Sequence, residues 1–133
     1  MPASNYLQAK LADHTLGKTA YTMPTNVYIA LCTASVADTD TGSTITEAGY
    51  TSYARVQTDG DDWNAYASDV ADNANAITFP ACTGSSSTAT HFAILDASTA
   101  GNLLLFDALD SSLAISTGIT PSFAAGTLTV TVT

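Results

Sequence analysis

The stretch THFAILDASTAGNLLLF, residues 90–106, decides the fold, because two apolar segments flank a turn. Residues 90–95 and 103–109 have the composition of β-strands. The intervening DASTAGN contains Asp, Ser and a Gly-Asn pair, the residue types that favour tight turns. The stretch therefore predicts a β-hairpin with core residues on both strands.

The same stretch contains a candidate catalytic or metal-binding pair, His91 and Asp96. Side chains alternate between the two faces of a strand, so His91 and Asp96 point to opposite sides of the sheet. We therefore expect Asp96 to cap the turn. We expect His91 to be satisfied within the sheet or to contact a neighbouring subunit.

The remainder of the chain after residue 25 also has strand character. Residues 26–33, NVYIALCT, are apolar on both faces, which is typical of a central strand covered on both sides. Residues 50–58, 75–82 and 125–133 are further strand candidates, and residues 34–49 form a long polar loop. Short strands with frequent turn signals predict an all-β fold over residues 26–133, an antiparallel β-sandwich or a jelly-roll-like barrel.

One short N-terminal α-helix is predicted over residues 4–17. Asn5 and Gln8 have the spacing of a capping box, and Ser4 is an alternative N-cap. Leu7, Leu11 and His14 recur on one helical face, which we expect to pack against the rest of the protein. Gly17 suits the left-handed position that ends a helix.

Length and charge restrict the class of protein. The chain has 133 residues, which predicts a single domain over residues 1–133. It has three basic residues (Lys10, Lys18 and Arg55) against twelve acidic ones, giving a net charge of -9. Because so few cations cannot neutralise many phosphates, we expect neither nucleic acid nor an anionic membrane as a partner. No secretory signal and no apolar run of membrane-spanning length is visible.

Two acidic clusters are candidate cation sites, namely Asp38 with Asp40 and Asp59 with Asp61 and Asp62. The first cluster departs from a calcium loop because Gly42 occupies the third ligand position and Glu47 comes too early. We interpret both clusters as solvated turns, with a bound divalent ion as the alternative. We predict no metal ligands and no cofactor.

Cysteine and histidine chemistry gives little support to an enzyme. Cys32 and Cys82 lie in apolar, strand-like segments and are interpreted as buried thiols, with a disulfide as the alternative. The paired spacings of a zinc site are missing. A hydrolase would need a base from His14 or His91, and the chain has no G-x-S-x-G elbow. We predict no catalytic residues.

Aromatic side chains are the remaining candidates for binding. We expect Trp63 and the tyrosines to pack in the core or at a subunit interface, and a sugar-binding role stays open. The tyrosines are Tyr6, Tyr21, Tyr28, Tyr50, Tyr53 and Tyr66.

The N-terminal run SNYLQAKLADHTLGKTAYTMPTNVYIALCTA resembles the start of a family of small bacteriophage virion proteins. That family has a helix with a D-H pair and a Gly, then T-A-Y-T-x-P, then a strand x-Y-x-A-L-x-T. The blocks GYTSYARV, ANAITFP, THFAILDASTAGNLLLFDAL and TPSFAAGTLTVTV extend the resemblance along the chain. The matching N-terminal residues are Asp13, His14, Gly17, Thr19, Ala20, Tyr21, Thr22, Pro24, Tyr28, Ala30, Leu31 and Thr33.

The resemblance implies a virion structural protein without catalytic residues. Our primary expectation is a capsid decoration, or cement, protein on the outer capsid surface of the virion. Its partners would be the major capsid protein and copies of itself, as a homotrimer. The helix and the loop of residues 34–49 would make those contacts. The alternative is a tail-tip, baseplate or tail-fibre component that contacts the host receptor through Trp63 and nearby tyrosines.

Overall fold

A computed structural model describes residues 1–132 as mostly antiparallel β-structure with one short helix, confirming the predicted fold class. Sheet order places the predicted hairpin at the centre of the architecture. The elements are α1 (Asn5–Thr15), β1 (Val27–Cys32), β2 (Val56–Thr58), β3 (Ala71–Asp72), β4 (Ile77–Thr78), β5 (Ser87–Leu95), β6 (Leu103–Ile115), β7 (Ser122–Phe123) and β8 (Thr129–Val130).

The main sheet has four strands in the order β2-β1-β5-β6, and all its pairings are antiparallel. β5 and β6 form the predicted hairpin, but β6 continues to Ile115, beyond the predicted end at residue 109. The pairing shifts between Ala89↔Leu113 and His91↔Ala108. Residues 109–112 of β6 therefore lie opposite one residue of β5, Thr90. β6 therefore bulges at the far end of the hairpin, away from the turn.

The two faces of this sheet carry separate hydrophobic clusters. Ile29, Leu31, Phe92 and Ile94 point to the first face, and Ala30, Cys32, Ala93 and Leu95 point to the second. The strict alternation follows from the period of two residues along a strand. It confirms that β1 is a central strand covered on both sides.

Different structures cover the two faces. Leu7 of α1 packs on the first face, together with residues of the two-stranded sheets β3-β8 and β4-β7 such as Ile77 and Val130. The loop of residues 34–49 covers the second face through Val36 and Ile45. The apolar side chains of this loop are therefore used inside the protein.

The helix begins at a different cap from the primary prediction. The Ser4 side chain accepts a hydrogen bond from the Leu7 N–H at 3.1 Å, so the alternative N-cap is confirmed and the Asn5 cap is wrong. Gly17 follows the helix with a φ of 75°, in the left-handed conformation predicted for it. Only Leu7 of the expected apolar face is buried, whereas Leu11 and His14 are exposed.

Residues 2–4 extend the main sheet beside β6. The Ser4 N–H donates to Leu104 O at 2.9 Å, and the Phe106 N–H donates to Pro2 O at 3.2 Å. The Ser4 hydroxyl also donates to Leu103 O. These bonds satisfy part of an otherwise open sheet edge.

Two of the predicted strands are shorter in the structure. Within residues 50–58 only Val56–Thr58 is a strand, and within residues 125–133 only Thr129–Val130 is. β8 pairs with β3, which also has only two residues. Leu128 and Val130 are buried as the alternation predicts, but Val132 is exposed, and Thr133 lies outside the described residues.

A membrane-spanning helix was not expected from the sequence. Over residues 1–132, the structure contains no helix with the length and apolar character needed to cross a bilayer.

Candidate functional site

Arg55 ties the long loop to the hairpin turn. Its Nη1 donates to Ala97 O at 2.8 Å and to Ala100 O at 2.9 Å, both in the turn between β5 and β6. Its Nη2 donates to Gly42 O, in the loop of residues 34–49, at 2.9 Å. Because a guanidinium presents its donors in a rigid fork, one side chain fixes the distance between two segments.

Glu47 completes this cluster. Its carboxylate accepts from Arg55 Nε at 3.0 Å and from Arg55 Nη2 at 2.9 Å. It also accepts from the Tyr53 hydroxyl at 2.8 Å, and that hydroxyl accepts from the Leu31 N–H at 3.2 Å. The chain of bonds thus runs from β1 to the loop. Burial, followed by the Glu47 charge, raises the pKa of Tyr53, so its phenol stays protonated and donates.

Gly42 permits the loop to approach the turn. Its N–H donates to Gly101 O at 3.0 Å. A Cβ at position 42 would lie 1.8 Å from Ala100 O, a distance that no side chain tolerates. The sequence singled out Gly42 only as a departure from a calcium loop, so its actual role was missed.

Sequence reasoning also missed Arg55 as an organising residue. It was counted among three cations, although its side chain is only 3% exposed. The available signal was its position in the YARV block, where tyrosine and valine flank a cation in a chain with very few cations.

The candidate catalytic or metal-binding pair, His91 and Asp96, does not form. Asp96 Oδ1 accepts from the Asn102 N–H at 2.7 Å, and its Oδ2 accepts from Asn102 Nδ2 at 2.9 Å, so it caps the hairpin turn as predicted. His91 is half-buried, and its Nδ1 hydrogen-bonds the Thr90 hydroxyl at 2.8 Å. His91 therefore has a hydrogen-bond partner within the sheet, as predicted.

His14 does not pack against an apolar neighbour as expected. It is exposed, and its Nδ1 accepts from the Tyr21 N–H at 3.0 Å. The imidazole therefore anchors the segment that follows α1.

The first acidic cluster is engaged with its own loop. Asp40 accepts from the Ala37 N–H and from the Thr44 hydroxyl, each at 2.8 Å. Asp38 is exposed. The carboxylate of Asp40 thus stabilises a turn in the loop that covers the sheet.

The second acidic cluster caps a short 3-10 helix, Gly60–Asp62. Asp59 accepts from the Asp61 N–H at 2.9 Å, and Asp62 accepts from the Asp59 N–H at 3.0 Å. The bond from the Asp59 N–H, followed by one from Asn75, lowers the pKa of Asp62. Among residues 1–132, no three His, Cys, Asp or Glu side chains converge as metal ligands.

The two cysteines are separate buried thiols, so the disulfide alternative is wrong. Cys32 lies in the cluster on the second face of the sheet and Cys82 in the cluster on the first face. Burial, followed by the charge of Glu47, raises the pKa of Cys32 to about 12. The Cys82 thiol donates to Gly84 O at 3.2 Å and to Ser85 O at 3.1 Å.

Aromatic side chains divide between the core and the surface. Tyr50 and Tyr53 stack edge to face in the core, with ring centroids 5.5 Å apart. Trp63 is half-buried, its indole N–H donates to the Thr58 hydroxyl at 3.0 Å, and it borders a shallow apolar groove beside Leu7. Tyr66 is 54% exposed. Core packing is therefore confirmed for Tyr50 and Tyr53, while Trp63 and Tyr66 stay accessible for binding.

Comparison with known proteins adds a family assignment to this geometry. No curated protein matches the chain. Residues 2–131 match the family described as podophage GP4 fiber I protein gp80. That match includes the helix, all four strands of the main sheet and the Arg55 cluster. The chain therefore belongs to the podophage GP4 fiber I protein gp80 family and is a bacteriophage virion structural protein.

Proposed function

We propose that this protein is a tail-fibre component of a podophage virion. The observation that carries the proposal is the family match over residues 2–131, because the family is described by a fibre protein. Of the two locations that the sequence left open, this description favours the tail over the head.

The architecture is suited to a rigid structural part. The Arg55 cluster joins residues 42–55 to the distant hairpin turn at residues 97–100, and the main sheet is covered on both faces. A small protein whose segments are cross-linked by hydrogen bonds and whose sheet is packed on both faces transmits load without large internal movement. We propose that it acts by binding its neighbours and that it has no catalytic activity.

Capsid decoration becomes the competing location. The sequence favoured it because an acidic surface with few lysines suits the outside of a phage head. That surface suits the outside of a tail equally well. The major capsid protein as partner and the homotrimeric state stay predictions.

Contact with the host receptor is a further part of the proposal. Tyr66 is 54% exposed and Trp63 borders the apolar groove, so both aromatic rings can be reached from solvent. Aromatic faces of this kind stack on sugars and anchor protein contacts. We expect Tyr66→Ala to reduce adsorption of phage to host cells while leaving particle assembly intact.

Location and copy number test the proposal together. Antibodies raised against the purified protein and coupled to gold should label the tail of intact virions in electron micrographs. Quantitative mass spectrometry should give a few to a few tens of copies per particle. Label over the head, with hundreds of copies per particle, would overturn the tail-fibre proposal and establish decoration.

A further inference from the structure

The segment after α1 is exposed and carries apolar side chains. We call residues 16–25 the strap. Leu16 is 77% exposed and Met23 is 83% exposed, the two largest values among the exposed large hydrophobic residues. Isolated exposed apolar residues are common, but two of this size within one ten-residue segment make the segment a candidate for a contact.

The strap also lies in a part of the sequence where cations outnumber carboxylates. Residues 1–25 contain both lysines and one carboxylate, Asp13. Residues 26–133 contain the other eleven carboxylates, and their one cation, Arg55, is buried against Glu47. Lys18 belongs to the strap and is exposed. The strap is thus suited to an apolar surface with carboxylates beside it.

Such a surface exists at the bulge of β6. Leu109 and Leu113 border a cleft of about 290 Å³ together with Phe123. Asp110 lies in the same cleft, and Asp107 lies in the adjoining hollow. We call this surface the bulge cleft. Leu113 is 37% exposed, so the cleft offers apolar area as well as charge.

The strap and the bulge cleft belong to opposite ends of the hairpin. The strap leads into β1, where Tyr28 pairs with Leu95 beside the hairpin turn. The bulge lies where Leu113 pairs with Ala89. Leu95 lies six positions after Ala89 along β5, so about 20 Å separate these pairings at roughly 3.3 Å per residue.

We propose that the strap of one copy docks into the bulge cleft of a second copy of this chain. Leu16 and Met23 would cover Leu113 and its apolar neighbours, and Lys18 would approach Asp110. The two surfaces are different, so the contact is head to tail, and repetition closes a ring or extends a chain. The contact would form in the isolated protein and is compatible with a location in the tail or on the head.

Single variants test each half of the contact. We expect the purified protein to self-associate in sedimentation velocity runs over a concentration series. Met23→Asp in the strap and Leu113→Asp in the bulge cleft should each weaken association at least about tenfold, because each places a charge in an apolar contact. Val132→Asp is the matched control, because Val132 is an exposed apolar residue outside both surfaces, and it should leave association unchanged.

Mixing the two variants tests the head-to-tail geometry. Met23→Asp keeps its cleft and Leu113→Asp keeps its strap, so an equimolar mixture should form heterodimers that grow no further. The thermal midpoint of each variant checks that it is folded. A wild-type protein that stays monomeric at every concentration, or a mixture that behaves as the sum of its parts, would overturn the proposal.

Discussion

Arg55 and Glu47 are joined by two parallel hydrogen bonds of 3.0 and 2.9 Å, and the arginine side chain is 3% exposed. This pair connects the residue that precedes β2 with the loop that covers the second face of the sheet. The same guanidinium reaches the hairpin turn through Ala97 O and Ala100 O. Its removal would leave the carbonyl groups of Gly42, Ala97 and Ala100 without this donor, and the partly buried Glu47 carboxylate with the Tyr53 hydroxyl but without its cation.

Arg55→Met should therefore destabilise the protein by about 3 kcal/mol, the low end of the cost of removing one partner of a buried ion pair, because Arg55 is buried but Glu47 is 25% exposed. Urea unfolding followed by tryptophan fluorescence measures the free energy of unfolding. Lys18→Met is the matched control, because Lys18 is exposed, and its effect should stay within about 0.5 kcal/mol. Equal effects of the two substitutions would contradict the anchoring role of Arg55.

Gly42→Ala should also be strongly destabilising, by about 2 kcal/mol or more, because a Cβ would collide with the Ala100 carbonyl. The loop would have to move away from the turn and lengthen the bonds of Arg55. Gly49→Ala is the control at the other end of the loop, since a Cβ there meets nothing within 4 Å. Thermal denaturation of both variants checks the difference, and a tolerant Gly42→Ala would show that the close approach is not needed.

Asp96→Ala should cost about 2 kcal/mol, because the carboxylate accepts two bonds from Asn102 in the hairpin turn. Asp38→Ala serves as the control, since Asp38 is an exposed carboxylate. Hydrogen exchange at the Asn102 amide should accelerate in the first variant alone. Unchanged exchange there would mean that the turn holds its shape without the Asp96 cap.

Stability should fall at alkaline pH. The pKa of Cys32 is about 12 in the folded protein against 9.0 for an unburied thiol. Between these two values the unfolded chain has lost a proton that the folded chain keeps, so each rise in pH favours unfolding. The raised pKa of Tyr53 acts in the same direction above its ordinary 10.0.

The thermal midpoint measured from pH 7 to pH 11 checks this dependence. We expect a plateau up to about pH 9 and a decline above it. Cys32→Ala should have a shallower decline, because it removes one of the two groups. A midpoint that stays level to pH 11 in the wild-type protein would show that neither group titrates on unfolding in this range.

Removal of divalent ions should leave the protein unchanged. Asp40, Asp59 and Asp62 already accept hydrogen bonds from nearby donors in their own turns. Thermal midpoints with EDTA and with added calcium should agree within error. A higher midpoint in calcium that is lost in Asp40→Asn would revive the cation site.

Local sequence signals predicted the parts of the fold that depend on local chemistry. The hairpin, the Asp96 cap and the two-sided burial of β1 follow from alternation and turn composition, which act over a few residues. The same alternation correctly separated His91 from Asp96. Burial of Leu128 and Val130 was also predictable from alternation, although the strand there is only two residues long.

Long-range contacts were not predictable from one sequence. Glu47 and Arg55 lie close in sequence, but the carbonyls of Ala97 and Ala100 reach Arg55 only after the hairpin has formed. Local patterns also overstated how much of the helix is buried, because a leucine face is buried only where a neighbour lies above it. For Leu11, no such neighbour covers the side chain fully.

The pairing of residues 2–4 with β6 sets the order of events during synthesis. Ser4 bonds to Leu103 and Leu104, so residues 2–4 find their partners only after the start of β6 has been synthesised. The sheet edge is therefore completed only once β6 is available, and a nascent chain arrested before residue 103 should expose residues 2–4 to protease.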